Sequence, residues 1–217
     1  MRPAGLLPLL ACLLTALLAP AAGADDVDDT LGALRSPDPV RRNHAALALG
    51  DVQDPRAANR ILKGLVVSLV DRKAGVRHAT AVTLARRGDR RAAPYLVRQL
   101  HAEEDTRVTP ALLLGVGALG DETYVAHVLP FARTHAVPAV RAAAVTALGD
   151  LGGEEARRVA LDTLERPELP DPEWSLRVAA ILALSRCGEA DDVGRALIVV
   201  RDGGGDGRWL VPVSYTH

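Results

Sequence analysis

Ala139-Val140-Arg141-Ala142-Ala143-Ala144-Val145-Thr146-Ala147-Leu148-Gly149 is the stretch on which the fold turns. Its last three residues recur as Ala48-Leu49-Gly50 and Ala118-Leu119-Gly120, with weaker copies at Thr83-Leu84-Ala85 and Ala183-Leu184-Ser185. The central leucines stand at 49, 84, 119, 148 and 184, so the spacings are 35, 35, 29 and 36 residues. Seven residues before each leucine stand Arg42, Arg77, Leu112, Arg141 and Arg177. Self-similarity at such a period is the mark of stacked supersecondary units.

Within one unit the apolar positions Val76, Ala79, Val82 and Leu84 fall near helical spacing. Turn residues follow at Asp51 to Pro55, Gly88-Asp89, Gly152-Gly153 and Gly188-Glu189. Second helices are then predicted over 56–70, 91–102, 122–134, 154–166 and 190–201. One helix pair cannot bury its own apolar face, so the pairs must stack. Asp28 to Arg35, with Leu31 and Leu34, reads as a half unit capping the start.

Composition agrees. The chain holds 37 Ala and 33 Leu, with 3% aromatic residues. Ala and Leu are strong helix formers, and an all-β fold wants the β-branched and aromatic residues that are scarce here. Net charge is −1, and no basic block exceeds two residues, so there is no general nucleic-acid footprint.

Pro39-Val40-Arg41-Arg42, Gly75-Val76-Arg77, Ala139-Val140-Arg141 and Leu176-Arg177, each leading into an Ala-rich helix and a Leu-Gly turn, resemble the HEAT-like repeat family, and within it the short-repeat branch typified by phycobilisome lyases. The resemblance implies an all-α, right-handed α-solenoid of about five helix pairs over residues 37–202, preceded by an acidic start and capping helix at 25–36. It says little about function, because the family includes scaffolds, adaptors and some enzymes. It implies second helices along a concave face, where Arg60, Lys63, Arg98, His101, Arg157, Arg158 and Asp162 are candidate contacts for a protein partner.

The recurring arginines Arg42, Arg77, Arg141 and Arg177 read as structural links that pair with an acid or cap a carbonyl, with Asp51, Asp89 and Asp150 as candidate partners; the rival reading is an anion-binding row. The third unit breaks the pattern. It has Leu112 in place of the arginine, a shortened turn at Asp121-Glu122, and Pro130 inside the second helix, which is expected to kink or end that helix early.

Catalytic constellations are not found. Gly115-Val116-Gly117-Ala118-Leu119-Gly120 matches a dinucleotide fingerprint in letters only, since no acid lies about 20 residues on and Gly120 belongs to the repeat register. There is no HExxH, no CxxC and no His-Glu dipeptide, and His127 with His135 is a weak metal pair interrupted by Pro130. The expectation is therefore a monomeric, non-catalytic scaffold or adaptor with no cofactor. An enzyme or enzyme-accessory subunit of the HEAT-like lyase type is the alternative.

Met1-Arg2, the apolar run Leu6 to Leu18, and Ala22-Gly23-Ala24 fit a leader cleaved after Ala24, with export to the periplasm, envelope or exterior of a bacterium and no membrane span remaining. Leu9-Leu10-Ala11-Cys12 offers a lipid anchor as a rival, and an uncleaved leader is another; either would make an envelope scaffold. After removal of 1–24 one cysteine remains, Cys187, read as an inert thiol in the last turn of a helix. Residues 203–217 form a Gly-rich linker and a tail that carries Trp209, Leu210 and Val211.

Overall fold

The computed structural model describes residues 24–165 and 174–203; residues 1–23 of the expected leader and most of the C-terminal tail lie outside them. The described residues are helical, with no strand among them. A capping helix α1 (Ala24–Ala33) is followed by five pairs: α2 (Pro39–Ala48) with α3 (Ala58–Ser68), α4 (Ala74–Arg87) with α5 (Ala93–Ala102), α6 (Thr109–Leu119) with α7 (Val125–Thr134), α8 (Pro138–Leu151) with α9 (Glu154–Leu164), and α10 (Trp174–Cys187) with α11 (Ala190–Gly203). Short 3₁₀ turns at Arg90–Ala92 and Glu122–Tyr124 lead into α5 and α7.

Local chemistry sets many of these boundaries. The Asp38 carboxylate accepts from the Val40 N–H at the start of α2, and Pro39 and Pro138 occupy first-turn positions, where the missing N–H costs nothing. Asp89 and Asp121 do the same for the two 3₁₀ turns, accepting from Arg91 and Thr123. Gly88 ends α4 at φ 70°, a left-handed cap that side chains disfavour.

The first helices α2, α4, α6, α8 and α10 stack on one another in sequence order, and each second helix packs against the first helices of its own or the next unit, giving an α-solenoid. All five register leucines, Leu49, Leu84, Leu119, Leu148 and Leu184, are buried. Burying a leucine contributes roughly 2 kcal/mol, so the recurring string marks the core of each unit. Alanine and glycine set the spacing between first helices. A Cβ on Gly117 would lie 2.7 Å from Cα of Ala147, so α6 and α8 approach backbone to backbone. The GxGxxG letters thus lie on a helix and its cap, serving packing.

Two expectations about the third unit meet different outcomes. The turn is short, with the 3₁₀ segment starting two residues after Gly120. Pro130 does not end α7, which runs on to Thr134. Pro130 is exposed, so its ring clears the core. The Thr134 hydroxyl donates to the Pro130 carbonyl in the last turn (2.9 Å). No helix among the described residues is long and apolar enough to cross a membrane.

Candidate functional site

The recurring arginines form an internal ladder. Arg42 donates Nε to Asp71 Oδ2 (2.7 Å) and Nη2 to Oδ1 (2.9 Å), a bidentate pair. Arg77 does the same to Glu103, with Nε to Oε2 at 2.8 Å and Nη2 to Oε1 at 2.6 Å. In three units the remaining Nη1 donates to the carbonyl six residues upstream: Arg42 to Ser36 (2.8 Å), Arg77 to Asp71 (2.9 Å) and Arg141 to His135 (2.7 Å). Asp71 therefore serves two units, its carboxylate holding Arg42 and its carbonyl holding Arg77.

This corrects the expected partners. Asp51, Asp89 and Asp150 pair with Arg86 (3.3 Å), Arg91 (2.7 Å) and Arg186 (2.7 Å). The reason is antiparallel geometry. The arginine sits near the start of a first helix, beside the loop that ends the second helix of the same unit. The turn aspartates lie at the other end, a helix length of roughly 15–20 Å away. Burial pushes the carboxyls of Asp71 and Glu103 up, but the guanidiniums of Arg42 and Arg77 and backbone N–H groups outweigh it and hold both below the ordinary range.

A second row of contacts joins consecutive second helices. Arg60 of α3 pairs with Asp28 of α1. Arg91, before α5, donates to Asn59 of α3 (2.7 Å). Nε2 of His101, on α5, lies 3.1 Å from Nδ1 of His127, on α7. Arg133 of α7 pairs with Glu155 of α9 (2.5 Å), and Arg157 of α9 pairs with the buried Asp192 of α11 (2.5 Å). Each step of the second-helix layer thus has its own polar bridge.

The sequence-derived contact residues divide accordingly. Arg60, His101 and Arg157 are taken up in bridges between units, and Arg158 pairs with Glu155 (2.7 Å). Lys63, Arg98 and Asp162 are exposed on α3, α5 and α9. Lys63 lines a groove of about 530 Å³ between α3 and α5 with Leu62, Val66, Val67, Arg91 and Tyr95. Val67 and Tyr95 are 72% and 44% exposed. Sequence periodicity missed Val67 and Tyr95; their only sequence signal is an apolar or aromatic residue off the buried face of a second helix.

His127 and His135 do not converge. His135 caps α7, its Nδ1 accepts from the Val137 N–H (3.1 Å), and its ring stacks on Phe131. Among the described residues no group of three or more His, Cys, Asp or Glu is placed to hold a metal. Cys187 is half-buried, and burial pushes its thiol up.

Residues 27–116 match the family model for HEAT repeats. Those residues carry HEAT repeats. No curated protein matches it. Among solved structures, this chain is similar to the complex of CpcE and CpcF of phycocyanin lyase from a Nostoc species, with 20% identity, a TM-score of 0.54, and coverage of 93% of this chain and 96% of that one. At that identity the likeness is one of fold.

Proposed function

We propose that this HEAT-like chain is an exported, non-catalytic scaffold that binds a protein partner across its second-helix face. The observation that carries the reading is the groove between α3 and α5, where the exposed Val67 and Tyr95 lie beside the cations of Lys63 and Arg91. Aromatic anchors with an adjacent charge are the usual centres of protein interfaces. The inward engagement of Arg42 and Arg77 supports the same reading, because their charges serve the stacking of units and not an external anion.

Crosslinking and capture from the native bacterial envelope tests it. The full chain is expected to retain a partner that Val67→Glu and Tyr95→Ala variants lose while keeping their helical spectrum. Equal capture by all three would overturn the assignment of this face. Mass spectrometry of the mature N-terminus tests export separately, with a start at Asp25 as the expected result; a lipid on Cys12 or retained residues 1–24 would replace it with an anchored scaffold.

The fold shared with phycocyanin lyase subunits supports a second reading, an accessory subunit that assembles with an enzyme. It is distinguished by the captured partner: an enzyme whose turnover rises on adding this chain.

A further inference from the structure

The bridge between α5 and α7 differs from the others in its row. The other four steps join a cation to a carboxylate or an amide: Arg60 to Asp28, Arg91 to Asn59, Arg133 to Glu155, and Arg157 to Asp192. At the α5–α7 step two imidazoles face each other, and both are exposed. At 3.1 Å one of the two facing nitrogens donates and the other accepts. They can both donate a lone pair to one external cation.

The distances suit that role. Nε2 of His101 and Nδ1 of His127 are 3.1 Å apart. Metal–imidazole bonds run roughly 2.0–2.1 Å, so this span closes a nitrogen–metal–nitrogen angle of roughly 95–100°. That angle lies between the square-planar and tetrahedral values that late first-row ions adopt. The rings are set edge to face at 70°, with centroids 5.3 Å apart, so both must turn to aim at a common point, which exposed side chains do readily. Tyr124 flanks His127 at 6.4 Å and Phe131 flanks His101 at 6.5 Å, walling the pair on its own surface. His101 lies in the last turn of α5, where the helix dipole favours a cation.

We infer that His101 and His127 form a two-histidine site for a late first-row divalent ion, Cu²⁺ binding most tightly, which staples the second helix of one unit to that of the next. Water completes the coordination. The site is independent of the partner-binding groove.

The test uses the untagged full chain and Cu²⁺ alone, at pH 7.5 in a non-chelating buffer, followed by calorimetry and electron paramagnetic resonance. One ion per chain is expected at the tight site, with two nitrogen couplings. Holding the second imidazole in place makes it an intramolecular ligand, so His101→Ala and His127→Ala should each weaken binding by at least about tenfold and remove one coupling. His135→Ala should leave both unchanged. A helical spectrum for each variant separates loss of the site from loss of the fold. Wild-type binding no tighter than either single variant, or equal weakening by His135→Ala, overturns the inference and leaves the pair as a hydrogen bond alone.

Discussion

Removing Arg77 leaves the Glu103 carboxylate in place but without its cation. The Glu103 side chain is 1% exposed and that of Arg77 16%, so the pair sits largely out of water. Breaking a buried pair from one side costs about 3–5 kcal/mol. Glu103 keeps bonds from Gln99 Nε2 (3.1 Å) and the Asp105 N–H (3.0 Å), which places the loss at the lower end, about 3 kcal/mol. For a domain of this size that corresponds to a fall of roughly 6–12 °C in Tm. Acidity provides a second readout. In the wild type Glu103 is held below its ordinary value of 4.5, so its contribution is present above that pH and is lost as pH falls through the lower folded value. In Arg77→Ala burial acts without Arg77's opposing charge and raises the Glu103 value, so protonation relieves the variant as pH falls. The gap between the two proteins should therefore be wide at pH 7 and narrow towards pH 4. Urea and thermal unfolding followed by circular dichroism at both pH values measures it. A loss under 0.5 kcal/mol (roughly the scatter for surface substitutions), or a gap that does not change with pH, would refute the ladder as a stabilising device.

Three further outcomes follow from packing. Gly117→Ala places a methyl 2.7 Å from Cα of Ala147, and overpacking of about 2–3 kcal/mol outweighs a helix-propensity gain of about 1 kcal/mol, so Tm should fall; a rise would mean that α6 and α8 part easily. Pro130→Ala restores an N–H donor inside α7 at an exposed position and should stabilise by about 2 kcal/mol in urea unfolding; destabilisation would show that the proline ring packs. Cys187 should react slowly with a thiol reagent at pH 7.5 and rapidly in denaturant, because burial raises the thiol's pKa; equal rates would place it at the surface.

Much of the fold is legible in residue order because its causes are local. The Ala-Leu-Gly string places a buried leucine near the end of each first helix, and Asp38, Asp89 and Gly88 set boundaries through contacts within a few residues. Five pairs follow from the period alone. The inward role of Arg42 and Arg77 was also legible, since a side chain repeated at one register meets the same neighbour in every unit.

Which neighbour it meets was decided by tertiary structure. Arg42 and Asp71 are 29 residues apart, Arg77 and Glu103 are 26, and His101 and His127 are 26. Periodicity says that such residues lie on adjacent elements but leaves open which ends adjoin. The antiparallel return of each second helix brings its closing loop to the start of the first, and this selects Asp71 and Glu103 over the turn aspartates. The offset between units then sets which second-helix side chains bridge a step, bringing two imidazoles together at one step and leaving Val67 and Tyr95 uncovered at another.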